Sequence, residues 1–520
     1  MDDNRRNART SCRGVAHHAN GVCSFHAEAM ELLRSDTHVE PAEARELREL
    51  IGIGQKRSRQ GGLGTHFDAR ESETMNKNRI AQSLVYVALA GLSAPAAAYN
   101  FYQQDGAELN LDIEAVLGVF SSEESYNLGA KSEAGESVWQ EGFIKYGLSG
   151  SHITGANSSV YGALSLVSSG TWGDGDAGGF TSGNERKTEL EDAYLGWRSG
   201  DLIPALGQDG LDISVGRQQF TIGDGFLING DSLNFGDALN GPGFDLDRGG
   251  AYWLAARKAF DRTAIARIGG SEGLRADLFW LDSDNKAQAA MELAGANAEY
   301  VSSRGTFGLT YIEGLDVDDD VAPALGYNAR DGQQTVSLRY QGNAGIENLF
   351  LSGEFVTQQP GDNSSDDATA WYAEAGWTFS DVTWSPSVNY RYSSFEENFD
   401  PLFFGFNRGY GTWFQGEVAA NYAGPFNSDA DVHHVGVKAA PSETLSVGAL
   451  FFSFRDTDGG SGDLNAREID FYAEWVVAPH LIISPLVGFY TPDNSSAEGG
   501  SQLGSDETNM YGQIIAIVPF

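Results

Sequence analysis

Apolar and polar residues alternate singly along much of this chain. In residues 107–119, Leu109, Leu111, Ile113, Ala115, Leu117 and Val119 interleave with Glu108, Asn110, Asp112 and Glu114. A β-strand turns successive side chains to opposite faces, so one face here is aliphatic and the other carries four polar groups in a row. Such a row cannot lie in a dry core. The pattern recurs. Val336, Leu338 and Tyr340 oppose Ser337, Arg339 and Gln341. Leu349, Leu351 and Phe355 oppose Ser352 and Glu354, and Trp371, Ala373, Ala375, Trp377 and Phe379 oppose Tyr372, Glu374 and Thr378. Val388, Tyr390 and Tyr392 oppose Asn389 and Arg391. In 414–422, Gln415, Glu417 and Asn421 take the polar side; in 467–477, Ile469, Phe471, Ala473, Trp475 and Val477 oppose Glu468, Asp470 and Glu474. In the last stretch Gly512, Ile514, Ala516, Val518 and Phe520 share one face, with Tyr511 and Gln513 on the other.

Strands of this kind make sense if the aliphatic face meets lipid, the polar face lines an aqueous lumen and the sheet closes on itself. Tryptophan and tyrosine often stand at the ends of the runs, as in interfacial girdles. The closing strand, ending on Phe520, resembles that of bacterial outer-membrane β-barrel proteins, in which a terminal aromatic is the signal to the barrel-assembly machinery. About 18 or 19 such segments lie between 107 and 520, and single-chain bacterial barrels take even numbers. The expectation is an all-β, transmembrane antiparallel β-barrel of about 18 strands in a single chain. Connections 456–466 and 491–508 are long and should be extracellular; 440–443 and 478–480 are short and should be periplasmic. The alternation fails around 394–411, which is either a missed strand or a long periplasmic turn folded into the pore. Gly/Asp-rich 171–183 and 223–250 are further candidates for folding inward.

Residues 1–74 share none of this patterning. At Met75 a second beginning appears: Lys77 and Arg79 form a charged region, 80–92 is an apolar run, and Ala96-Ala97-Ala98 is an A-x-A-type cleavage site. That is a secretory signal peptide over 75–98. The expectation is that 1–74 is an overlong, disordered N-terminal extension and that 99–520 is the barrel.

Composition sharpens this picture. Glycine is abundant at 65 residues, proline scarce at 14, and aromatics reach 11%. The mean hydropathy is below zero, as expected where alternating strands average out. The net charge of −38 falls almost wholly after residue 98, which makes nucleic acid a poor partner. Both cysteines, Cys12 and Cys23, precede the signal peptide, so the barrel has no disulfide framework or cysteine metal site.

Few motifs carry chemistry. The run Asp316, Asp318, Asp319, Asp320 lacks the spaced glycine and closing glutamate of a calcium loop and reads as a solvated acidic loop. His433 and His434 point to opposite faces of a strand and make a poor shared metal site. No catalytic triad is flagged; neither a cofactor nor a metal is expected. The basic residues on polar faces are more telling. Arg339 and Arg391 stand in clean strands, and Lys145 and Lys438 share the polar side with less regular parity. At Gly216 the alternation breaks, so a bulge there could turn Arg217 inward. Arginine's planar fork suits carboxylates, either those of a solute or wall residues such as Glu354 and Glu374.

Leu211-Asp-Ile-Ser-Val-Gly-Arg217-Gln followed by Asp224-Gly-Phe is similar to a segment of the alginate-export family of outer-membrane barrels. Asp400-Pro-Leu-Phe-Phe-Gly-Phe-Asn-Arg408-Gly with Trp413-Phe-Gln-Gly resembles another. The resemblance implies an 18-stranded monomeric barrel conducting an anionic polyuronate through an arginine-lined constriction. Arg217 and Arg408 are carried over, with Arg339 and Arg391 added on strand parity. The chain departs from that pattern in its polar-face carboxylates Glu108, Asp112, Glu114, Glu468, Asp470 and Glu474. The functional expectation is therefore an outer-membrane channel for passive diffusion or export of hydrophilic solutes, including an anionic oligo- or polysaccharide such as alginate. Its partners would be outer-membrane lipid, lipopolysaccharide and the solute, and it would not be an enzyme. The alternatives are a lipase- or protease-like outer-membrane enzyme on a barrel scaffold, and a general non-specific porin.

Overall fold

A computed structural model describes residues 99–241, 245–361, 366–411, 415–457 and 464–519. The expected extension and signal peptide, and the terminal Phe520, lie outside the described residues.

Nineteen strands follow in chain order. They are β1 (Tyr99–Gln104), β2 (Ala107–Ser122), β3 (Ser137–Ile153), β4 (Ser159–Gly173), β5 (Arg186–Arg198), β6 (Leu211–Gln218) and β7 (Phe260–Ile268). Then come β8 (Gly273–Asp282), β9 (Glu292–Ser302), β10 (Gly305–Asp316), β11 (Gln334–Gly342), β12 (Leu349–Gln359) and β13 (Ala368–Thr378). The last six are β14 (Ser387–Phe395), β15 (Ala430–Ser442), β16 (Leu445–Arg455), β17 (Ala466–Ala478), β18 (Leu481–Pro492) and β19 (Asn509–Pro519). From β2 onward each strand pairs antiparallel with the next, and β19 returns to β2, with Pro519 opposite Glu114 and Tyr511 opposite Ser122. The result is a closed antiparallel barrel of 18 strands. The short β1 is a hairpin arm. It pairs with Ala107–Leu111 of β2, along the same edge that β19 occupies farther on.

The faces sort as the alternation predicts. Leu338, Phe355, Tyr390, Phe471 and Ile514 are exposed on the outside, while Ser337, Arg339, Glu354, Glu374 and Arg391 are buried inside. His433 is exposed beside Tyr390, and His434 is buried against Phe452. Trp371 and Trp377 stand near opposite ends of β13 on its outer face, two belts of the kind that bracket a hydrocarbon layer.

The longest connections leave the barrel at one end, and 199–210 is the longest at the other. The segment 396–429 belongs to this set, because β14 runs to Phe395 and β15 begins at Ala430. It is neither a missed strand nor a connection at the short-turn end. Of 414–422, expected as a strand, the described residues 415–422 are not one: Ala419–Ala423 is a π-helical turn within this connection. Gln415, Glu417 and Asn421 are all buried there, so their spacing records packing inside the barrel.

The lumen near the long connections is largely filled by side chains. The described residues of connections 219–259 and 396–429 fold inward, and the hydrophobic core forms between them and the wall. Phe120 stacks on Trp139 with ring centroids 5.2 Å apart, and Trp253 lies 6.1 Å from Phe120. Tyr422 packs edge-on to Trp139, Phe226 against Phe395 and Tyr372, and Phe260 against Phe403. Phe180, from the Gly-rich 171–183, inserts beside Tyr252. Each such ring contributes about 1.5–3 kcal/mol by leaving water.

Leu338→Arg, in the middle of an outward row, should lower folding stability by about 2–4 kcal/mol in a urea titration into lipid vesicles. A loss under about 0.5 kcal/mol, typical of a surface site in water, would show that this face does not meet hydrocarbon.

Candidate functional site

Wall carboxylates hold the inward connections by their backbone. Glu191 accepts from the N–H groups of Lys258 (2.7 Å) and Ala259 (3.0 Å), and Glu141 from that of Leu254 (3.1 Å). Glu468 accepts from Val418 (2.9 Å) and Ala419 (2.8 Å). A buried loop must have its amides satisfied, and strands already paired on both sides can offer only side chains. This is one role of the polar-face acids.

The two inward connections also zip to each other. Asn229 N–H donates to the Phe403 carbonyl (2.8 Å), Phe403 N–H to Leu227 (3.0 Å), Gly405 N–H to Gly225 (2.9 Å) and Asn407 N–H to Asp224 (3.1 Å). The two segments that carried the family resemblance, around Asp224-Gly-Phe and Asp400 to Gly409, are therefore one structural unit. Asp224 and Arg408 clamp it to the wall. Asp224 accepts from Gln341 (2.7 Å), Tyr372 (2.8 Å) and Ser352 (3.0 Å), and pairs with Arg408 at 3.1 Å. Arg408 also reaches Glu374 at 2.7 Å and lies over the Phe350 ring. Burial alone would raise the Asp224 carboxyl, but Arg408, with the Tyr372 and Ser352 hydroxyls, outweighs it and holds the group below its ordinary range.

Each sequence-predicted residue can now be placed. Gly216, at φ 118°, breaks the register between β6 and β7 and turns Arg217 inward, onto Asp261 and, at 2.8 Å, Asp284. Arg339 donates to Asn297 (2.7 Å) and Thr310 (2.8 Å) and pairs with Glu299. Its side chain lies flat across Gly308, where a Cβ would collide with the guanidinium. Arg391 sits 3.8 Å from Glu374 and over the Phe406 ring. Lys145 pairs with Asp192 at 2.7 Å and Lys438 with Glu474 at 3.1 Å. Glu354 accepts from Ser337 at 2.5 Å. Glu108, Asp112 and Glu114 line the inner face of β2 away from the inward connections. The structure brings Arg391, Glu374 and Arg408 into one cluster; Arg339, Arg217, Lys145 and Lys438 each sit in clusters of their own.

Sequence reasoning picked out Arg217 but missed the charged groups around it. Arg217, Arg248 and Arg257 converge on Asp284 at 2.8, 3.5 and 3.3 Å, and Arg248 also pairs with the buried Asp231 at 2.6 Å. Burial raises the Asp284 carboxyl, but the three guanidiniums prevail and keep it below its ordinary range. Most of this cluster lies in connections, where no periodicity flags it. A cavity of about 420 Å³ opens toward the short-turn end. Its wall includes Arg198, Arg267, Arg275 and Arg339, and with them Asp209, Asp212, Asp224, Asp277 and Glu299. Arg267 shares strand parity with the inward Ile265 and makes no ion pair among the described residues; the Phe220 ring lies 5.9 Å away. A second cavity of about 520 Å³, lined by Tyr252, Tyr327, Arg330 and Asp400, lies toward the long connections.

The fold is similar to those of solved bacterial proteins. OccAB4 of Acinetobacter baumannii superposes with a TM-score of 0.50 at 12% identity, over 79% of this chain and 98% of that one. The outer membrane protein OpdK of Pseudomonas aeruginosa gives 0.49 at 10% identity, over 79% and 98%. The likeness is one of fold. No protein-family model matches the sequence, and no curated protein matches it either.

Asp224→Ala would leave Arg408 with one carboxylate fewer in a buried site, at a cost of about 3–5 kcal/mol in chemical denaturation. The linkage has a sign. The Asp224 group is depressed in the folded protein, so its stabilisation is complete above the ordinary aspartate value of about 3.9 and is lost as pH falls through the lowered one. Wild type should lose stability in that acid window, and Asp224→Ala should lose less.

Proposed function

We propose that this protein is an outer-membrane channel through which small hydrophilic solutes diffuse passively, with a preference for those bearing carboxylates. The observation that carries the reading is the inversion of polarity across one closed wall: the outside is apolar and the inside is charged. A water-soluble protein would place these faces the other way round. Long connections would face the exterior and short turns the periplasm, and the chain would work as a monomer in lipid and lipopolysaccharide. Selectivity would come from charged groups and from the inward connections, without energy coupling.

The preference for anions rests on arginines at the cavity wall. Arg267 is the best placed to meet a solute, and Arg275, partly exposed at its rim, the next. Buried pairs such as Arg339–Glu299 would set the local field and hold the wall rigid. The resemblance to alginate exporters suggests a polyuronate, but the packed lumen and interleaved carboxylates fit a short acidic saccharide or smaller acid better than a polymer.

In planar bilayers the protein should give steady ohmic conductance; a silent barrel would retire the channel. The reversal potential in a salt gradient tests the arginines separately. Arg339→Ala with Arg391→Ala, and independently Arg267→Ala, should shift it toward cation preference, and an unchanged value in all of them would remove the selectivity role.

A further inference from the structure

Glu417, in the second inward connection, packs against Glu468 and Asp470 of β17. All three side chains are buried. The fit is close: a Cβ on Gly416 would touch Glu468, and one on Gly488 would meet both Asp470 and Val418. Glu468 accepts the Val418 and Ala419 amides, but Oε2 of Glu417 and both oxygens of Asp470 have no hydrogen-bond donor. Most other buried acids of the lumen among the described residues are answered by an arginine, a lysine or several N–H groups, and Glu354, which accepts only the Ser337 hydroxyl, stands across β11–β12 from Arg339. Here, among the described residues, no arginine, lysine or histidine pairs with any of the three.

The other ionisable groups nearby do not help. Tyr126 of the β2–β3 connection, Tyr490 of β18, Tyr511 of β19 and Tyr410 of the same inward connection lie near the cluster. Each is neutral or acidic. Trp253 of the first inward connection supplies the one aromatic N–H close to Glu417. Ionised together, three buried carboxylates without a counter-charge would cost several kcal/mol each. Burial, with Glu468 beside it, pushes the Glu417 carboxyl well above its ordinary range.

We propose that Glu417, Glu468 and Asp470 form a proton-operated latch, which holds connection 396–429 against the barrel wall while protonated and releases it as the pH rises. The docked arrangement binds more protons than the released one. Docking is therefore strongest below the ordinary glutamate value of about 4.3 and weakens steadily above it. The latch rests on the channel reading only for its effect on flow; docking itself can be measured without any conduction.

Hydrogen exchange read by mass spectrometry tests the docking in the protein folded in detergent with a chelator present. Protection factors divide out the intrinsic pH dependence of exchange. In wild type, protection of the amides in 415–423, relative to wall strands, should fall by roughly tenfold or more between pH 5 and pH 9. Glu417→Gln with Asp470→Asn keeps the shapes and removes two ionisations, and its protection should stay high and flat; Glu417→Gln alone should give a shallower fall. Retained heat-modifiable gel mobility would confirm a folded barrel in each. Flat protection in wild type, or an undiminished fall in the double variant, would overturn the latch. Bilayer conductance is the second arm: a rise with pH in wild type but not in the double variant would tie the latch to flow. A fall in protection without any conductance, at any pH, would support the latch and count against the channel reading alone.

Discussion

Closing a sheet on itself leaves every strand hydrogen-bonded along both edges, so the wall satisfies its own backbone and has none left over for anything placed inside. Whatever enters the lumen must be met by side chains. Glu141, Glu191 and Glu468 meet the inward connections at their amides, and Asp224 and Arg408 bind those connections to β11, β12 and β13. The acids that gave the chain its charge are in this sense interior fittings. That explains how so acidic a protein can have so aromatic a centre.

The fold was legible because period-two alternation is long, repeated and insensitive to detail. Leu338, Phe355 and Phe471 face outward as their parity demands, and Arg339 and Arg391 face inward. The reading failed where alternation had another cause. Gln415, Glu417 and Asn421 look like the polar side of a strand but are polar groups folded around a π-helical turn, and counting them as a strand displaced the parity of the neighbouring connections. The interior was only half legible. Residue identity picked out Arg217 and Arg408, yet the convergence of Arg248 and Arg257 on Asp284 depends on how an aperiodic segment folds back. The pairing of the Asp224 and Phe403 segments joins residues about 180 positions apart, which no local pattern records.

The two anchors of the inward connections are chemically unlike. One is a charged clamp, Asp224 with Arg408 and Glu374, in which opposite charges meet in a buried site. The other is a set of acids with no basic partner among the described residues. A charged clamp needs its carboxylates ionised and an acid cluster needs its protons, so acid weakens the first and alkali the second. Connections held in both ways stay seated over an intermediate range of pH and lose a different point of attachment on either side of it.

The hairpin arm β1 gives β2 a divided edge. Tyr99–Gln104 occupies the portion from Ala107 to Leu111, and the final strand takes the remainder from Glu114 onward. A sheet in which side chains alternate tolerates no odd slip of register, and even slips toward the short turns run into backbone already paired. The arm joins β2 by a tight turn and can form before the rest of the ring is made. It acts as a doorstop: the last strand to arrive finds its landing place already measured out.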